Sequence, residues 1–234
     1  MCTRFVYRGN DIITGFNFDI DLSVWRHKVI EEQDRFYIGI LRPDGIYHSY
    51  HGVNQNGNVG TLLYVHGNPA GAYQNSRNCI TIADVTEQFI KAQISFDDVL
   101  QIVKSKRIVY APDSTMQAML SDVYGRTLVI EPGIGYREEQ NKYSLITNYS
   151  LMKPESTRDF IVPGDDRYER ALLLLDNYKN EFSLSDAFTL LRAVRQEGAW
   201  ATRISFVYSA NERTVYYTEN KHFEHIRKFS FPLA

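Results

Sequence analysis

The sequence predicts a layered α+β domain, and three observations carry that expectation. Short β-branched and aromatic runs, punctuated by Gly, Asn and Asp, fill the first half. Two helix starts with complete capping signatures, Ser95 with Asp98 and Ser183 with Asp186, stand in the middle and late parts. Strand-like runs then return at the end, an order of strands, helices and strands rather than of alternating βαβ units. With 234 residues, 44% hydrophobic and 23% charged, the chain suits one large globular domain over 1–234 and has enough apolar side chains for a sizeable core.

The elements read in order as follows. Thr3 to Tyr7 and Ile12 to Ile20 flank the turn Arg8-Gly9-Asn10-Asp11 as a hairpin. Phe36 to Leu41 and Ile46 to Tyr50 form a second hairpin across Arg42-Pro43-Asp44-Gly45, where Pro presets a turn dihedral and Gly accepts positive φ. Thr61 to Val65 is the next strand. A helix is expected from about Ala83 to Ala92, and a second begins at the Ser95 cap with Val99, Leu100, Ile102 and Val103 as its buried stripe. Arg107 to Tyr110, Met116 to Val123, Thr127 to Glu131 and Tyr143 to Asn148 read as strands of a meander, with Tyr124-Gly125-Arg126 as a turn. Met152 to Asp166 reads as a long surface loop. Arg167 to Tyr178 and Ser185 to Gln196 are the later helices, and Ile204 to Ser209 with Thr214 to Thr218 close the chain as a hairpin.

Composition narrows the function classes. A formal charge of -2 offers no electrostatic grip on nucleic acid or anionic lipid, so neither is expected as a partner. The apolar run Ala171 to Leu175 falls far short of the roughly 20 residues of a membrane span. The N-terminal stretch turns polar before a signal-peptide core develops, and a cytoplasmic protein is expected. Cys2 and Cys79 are too few for a disulfide scaffold, and Cys79 reads as structural. His48 with His51 and His222 with His225 lack the carboxylate partners of a metal motif, and Gly67 to Gly71 lacks the Lys of a phosphate loop, so neither a metal nor an organic cofactor is expected.

Cys2 is the most informative position. Removal of the initiator Met would leave a residue carrying both a thiol and a free α-amine, so nucleophile and base share one residue. An α-amine titrates near about 7.7–8.0 and has a usable neutral fraction at neutral pH. Such a thiolate can attack an amide carbonyl, form a thioester and release the amine, after which water completes the hydrolysis.

Met1-Cys2-Thr3, a turn, and then Gly15-Phe16-Asn17-Phe18-Asp19 resembles the start of the choloylglycine hydrolase family. These N-terminal-nucleophile hydrolases include bile salt hydrolases and penicillin V acylases, and typically read Met-Cys-Thr and then Gly-Arg-Asn-x-Asp. Asp19 matches the carboxylate that holds the α-amine. Gly52-Val53-Asn54-Gln55-Asn56-Gly57 resembles the family's Met-Asn-Glu-x-Gly turn, which puts Tyr64 at a position held by Asn in bile salt hydrolases and Tyr in penicillin V acylases; His66 and Asn68 are the alternatives in a shifted register. Asp122 to Glu131 resembles the family's Asp-x-x-Gly hairpin. Leu145-Ile146-Thr147-Asn148-Tyr149 is similar to its Leu-Thr-Asn segment, making Asn148 the implied oxyanion donor. Asp166-Arg167-Tyr168-Glu169-Arg170-Ala171 is similar to its Ser-Arg-Phe-x-Arg-Ala helix start, making Arg167 the implied active-site arginine.

The matches run in order from Cys2 to about Ala171. They imply a four-layer αββα sandwich of antiparallel sheets and a cysteine amidohydrolase acting on the linear C–N bond of an N-acyl small molecule, of the bile salt, penicillin V or N-acyl amino acid type. Two departures stand out. Phe16 replaces the family's arginine and can supply neither charge nor hydrogen bonds. The chain is also shorter than the bile salt and penicillin enzymes, which implies trimmed loops; family members often form homo-oligomers, and the oligomeric state here stays open. The rival readings are a degenerate member that binds an acylated small molecule without cleaving it, and an acyltransferase that intercepts the thioester.

Overall fold

The computed structural model describes residues 2–178 and 181–232. Two strands open the chain, β1 (Thr3–Arg8) and β2 (Ile12–Asp19), followed by β3 (His27–Glu32), β4 (Arg35–Leu41), β5 (Tyr47–Asn54) and β6 (Val59–Tyr64). A short β7 (Cys79–Thr81) leads into helices α1 (Ile82–Ile90) and α2 (Phe96–Ser105) and then β8 (Arg107–Val109). Next come β9 (Met116–Ser121), β10 (Thr127–Glu131), β11 (Gly135–Glu139) and β12 (Tyr143–Ile146). Helices α3 (Arg167–Asn177) and α4 (Leu184–Ala193) precede β13 (Thr202–Ser209), β14 (Thr214–Glu219) and β15 (Arg227–Ser230).

The strands form two large sheets, ordered β12-β1-β2-β13-β14-β15 and β11-β10-β9-β6-β5-β4-β3, with every pairing in both antiparallel. Side chains alternate across each strand. In β1, Val6 faces the apolar layer between the sheets with Phe16, Phe206, Ile38 and Met119. Phe5 and Tyr7 face the other way, onto Leu175, Ala187 and Leu191 of α3 and α4. The outer face of the second sheet packs Leu62, Ala118 and Leu128 against Val85, Phe89 and Val99 of α1 and α2. The result is the expected four-layer αββα sandwich, with each amphipathic helix pair closing one outer sheet face.

Helix starts follow the capping signatures. Ser95 and Asp98, and Ser183 and Asp186, each exchange side-chain and backbone hydrogen bonds as reciprocal capping boxes. Of the four strands absent from the sequence reading, the three-residue β7 stands apart, and the other three share a cause. β3, β11 and β15 are sheet edges, and their sequences, HKVIEE, GYREE and RKFS, carry charge where a central strand carries apolar side chains. Charged edges block further strand addition, and in doing so they erase the alternation that marks a strand. The expected strand Arg107 to Tyr110 joins neither large sheet: β8 pairs in parallel with β7 as a separate ribbon. The Met152 to Asp166 loop holds two short 3-10 turns, at Pro154–Ser156 and Arg158–Phe160. No helix among the described residues is long and apolar enough to cross a membrane.

Candidate active site

Strand order brings the site together. β12, β1, β2 and β13 are consecutive neighbours, and at one end of this group lie Cys2 just before β1, Asp19 closing β2, Asn148 just after β12 and Thr202 opening β13. Thr202 and Asp19 are direct register partners. Arg167 is the first residue of α3, which packs on the outer face of this sheet, and its side chain reaches back to the same end.

Arg167 is 4% exposed and organises the cluster. Its Nη1 donates to the Cys2 carbonyl at 2.9 Å and lies 3.6 Å from Asp19 Oδ2. Its Nη2 donates to Asn148 Oδ1 at 3.2 Å. Nε and Nη2 together grip the Asp165 carboxylate at 2.8 Å each, a forked pairing that fixes the guanidinium plane. Tyr149 donates its hydroxyl to the same carboxylate. On the far side, Thr202 Oγ1 donates to Asp19 Oδ1 at 2.6 Å.

The backbone nitrogen of Cys2 donates to Asn148 Oδ1 at 2.6 Å, and Asn148 Nδ2 donates to the Tyr64 carbonyl at 2.6 Å. Only this orientation of the carboxamide pairs donor with acceptor at all three contacts, because the oxygen meets two N–H groups and the nitrogen meets a carbonyl. The acceptor that holds the Cys2 nitrogen is thus Asn148. Tyr64 contributes its backbone carbonyl, while its side chain is half exposed. Asn68 is committed to a turn, donating to Tyr110 and Pro132 and accepting from Gly71. His66 lies against Phe160.

Electrostatics follow from burial. Desolvation pushes the Cys2 thiol up to about 11, the Asp19 charge adds to the rise and Arg167 opposes it. Desolvation likewise raises Asp19 to about 7 despite Arg167 and the Thr202 hydroxyl. Phe16, where the resembled family carries arginine, is fully buried and stacks on His51 with ring centroids 5.2 Å apart.

Cys2, Asp19 and Tyr64 line a cavity of about 800 Å³, whose walls include Phe18, Ile20, Trp25, Ile40 and Leu62. Asn148 and Arg167 are buried against Cys2 beside it. Of the five residues singled out from sequence, four meet through side chain or backbone around Cys2 and the fifth joins through its carbonyl. The sequence does not single out Asp165, Tyr149 or Thr202. Thr202 is 183 positions from its partner Asp19 and is delivered only by the β2–β13 pairing, which no local pattern announces. Among the described residues no cluster of three or more His, Cys, Asp or Glu side chains is placed to hold a metal ion.

No family model matches the sequence, and no curated protein matches it. Solved structures do. A mutant conjugated bile acid hydrolase from Clostridium perfringens superposes with a TM-score of 0.73 at 16% identity, over 98% of this chain and 92% of that one. Penicillin V acylase from Agrobacterium tumefaciens gives 0.67 at 15% identity, over 94% and 83%. The fold is that of the N-terminal-nucleophile hydrolases. A Caenorhabditis elegans ortholog of N-acylethanolamine-hydrolyzing acid amidase shares it less closely, at a TM-score of 0.54 and 16% identity over 99% and 100%. Here Cys2 directly precedes β1, an inner strand of its sheet, and lines the cavity.

Proposed function

We propose that this single-domain protein is a cysteine amidohydrolase that cleaves the linear C–N bond of N-acyl small molecules through a thioester at Cys2, in a cytoplasmic setting. One observation carries the reading: the Cys2 nitrogen, which becomes the α-amine when Met1 is removed, is held by Asn148 beside a large apolar cavity that the Cys2 thiol lines. The structural neighbours, a bile acid hydrolase, a penicillin acylase and an acylethanolamine amidase by their names, support it.

In this reading the α-amine takes the thiol proton as sulfur attacks the carbonyl, then gives it to the departing amine as the tetrahedral adduct collapses to a thioester. Water, deprotonated by the same amine, attacks the thioester and frees the acid and the thiol. Asn148 fixes the amine through Oδ1, and the second hydrogen on its Nδ2, the one not given to Tyr64, is assigned to the oxyanion. Asp19 and Arg167 set the local charge: the guanidinium favours the thiolate, and the carboxylate favours the ammonium form of the amine.

The test joins mass spectrometry of the N-terminus with amine release from a panel of bile salts, phenoxyacetyl penicillin and N-acyl amino acids. Loss of Met1, turnover of at least one panel member and its abolition in Cys2→Ala are expected; a protein that keeps Met1 and hydrolyses none of them refutes the proposal. Phe16 in the place of arginine, together with a thiol raised to about 11, favours a second reading, a binder that does not cleave. Slow carbamidomethylation of Cys2 in the processed protein would select that reading. An acyltransferase would instead show acyl transfer to an added amine.

A further inference from the structure

His51 is a buried polar side chain of the cavity that this chemistry leaves unused. It stands in β5 opposite Ile38 of β4 and Thr61 of β6, where an extra residue, Tyr50, bulges the strand between the Ile38 and Gly39 pairings. A bulge re-aims side chains, and both Tyr50 and His51 line the cavity. The imidazole is 5% exposed, stacked on Phe16 and packed 5.0 Å from the Phe18 ring, so its orientation is fixed. The Leu62 backbone N–H donates to Nδ1 at 3.2 Å, which puts the proton of the neutral ring on Nε2. Burial pushes this histidine down to about 3, with His27 contributing, and the ring stays neutral at any working pH. Among the described residues nothing accepts from its Nε2–H. The ring therefore offers one fixed N–H donor, and no acceptor, inside a mainly apolar chamber.

We propose that His51 is a specificity residue for the acyl group: its Nε2–H donates to a single acceptor oxygen (ether, keto or hydroxyl) set part-way along an otherwise apolar acyl chain whose carbonyl lies at Cys2. The proposal rests on the amidohydrolase reading for the placement of that carbonyl. It predicts that the preferred substrates are oxygen-bearing acyl amides, and that an oxygen at the wrong position is worse than none, because it is buried without a partner.

The experiment uses the full chain carrying Cys2→Ala, with decanoic acid and a set of decanoic acids in which one methylene at a time is replaced by an ether oxygen or a carbonyl. Binding is followed through the fluorescence of Trp25 and Trp200, which both line the cavity. One oxygen position should bind about 3- to 10-fold tighter than decanoic acid, the usual worth of a neutral hydrogen bond. That ratio should fall to about one in His51→Phe, which keeps the stacked shape, and persist in part in His51→Gln, which keeps a donor. Equal binding across the series, no binding by any member, or a preference unchanged in His51→Phe overturns the proposal; the comparison within the parent protein decides even if His51→Phe does not fold. The matching coumarin amides, given to the protein with Cys2 intact, separate the two readings. Oxygen-selective binding without hydrolysis removes the amidohydrolase and leaves the site, whereas hydrolysis without selectivity does the reverse.

Discussion

Replacing Arg167 with methionine should expose how much of the site is held by one guanidinium. The substitution keeps the length and removes the fork on Asp165, the 3.6 Å pairing with Asp19 and the hydrogen bonds to the Cys2 carbonyl and Asn148. Breaking a buried ion pair on one side costs about 3–5 kcal/mol because the other charge is stranded. For a chain of this size each kcal/mol is worth about 2–4 °C, so the melting temperature should fall by roughly 6–20 °C at about pH 8. Acid should soften the loss. Asp19 has its folded pKa raised to about 7, so its favourable contribution is full below the ordinary carboxylate range and is lost as pH rises through about 7. Without Arg167 its pKa rises further, and near pH 5.5 Asp19 is neutral and needs no counter-charge. Asp165 behaves in the opposite sense: although burial opposes it, its bonds from Arg167 and Tyr149 hold its pKa low, so its share of the penalty persists at pH 5.5. Melting curves by circular dichroism at the two pH values check this, with Arg167→Met/Asp165→Asn as a partner that should recover part of the loss. A drop of under about 3 °C at pH 8, or a larger drop at pH 5.5 than at pH 8, would refute the assignment of Arg167 as the charge that balances these carboxylates.

Asp19→Asn should move the acidic limb of the pH–rate profile to lower pH, because the carboxylate no longer favours the ammonium form of the α-amine; a parent-like limb in the variant dismisses the role. Asn148→Ala removes both the holder of the Cys2 nitrogen and the assigned oxyanion donor, and should cost at least about 100-fold in kcat with KM little changed. Gly15→Ala should lower stability by about 1–3 kcal/mol, read as a shift in urea midpoint, because its new methyl would overlap the Phe5 ring beneath α4. Arg4 is fully buried between the sheets, is held by Ser121 Oγ at 2.9 Å and has no carboxylate partner among the described residues, so Arg4→Met should leave the melting temperature unchanged or raise it.

The layered class and the capped helices were legible because they rest on local chemistry. Ser-x-x-Asp pairs announce α2 and α4, and Gly or Pro-Asp-Gly turns announce the hairpins. Three of the four edge strands of the large sheets were not, since β3, β11 and β15 carry charges that suppress aggregation, leaving no apolar alternation to read. Within the site, Cys2, Asp19, Asn148 and Arg167 stood out through ordered motif resemblance, yet their contacts did not follow from it. The resemblance assigns the amine to Asp19 and the oxyanion to Asn148; the contacts between the carboxamide oxygen of Asn148 and the Cys2 nitrogen, and between its Nδ2 and the Tyr64 carbonyl, are additional to that assignment. Asp165 lies two residues before Arg167 in a loop with no periodicity, so only the folded chain reveals it as the clamp on the guanidinium.

On the proposed reading, the same geometry explains how a buried thiol that is hard to ionise can act as a nucleophile. As part of a peptide group, the Cys2 nitrogen only donates and cannot take the thiol proton, while burial holds the thiol near 11. Cleavage of the Met1–Cys2 bond changes that nitrogen from an amide to an amine without requiring its partner to move, since Asn148 Oδ1 accepts from either. The amine then supplies a base within one residue of the sulfur, and attack needs proton transfer during the reaction rather than a standing thiolate. A thiolate-directed alkylator should therefore label processed protein much faster than a variant with a blocked N-terminus, with the ratio greatest near neutral pH and shrinking as pH approaches the thiol's own pKa. Equal rates at neutral pH would mean that the amine and the sulfur do not act as a pair.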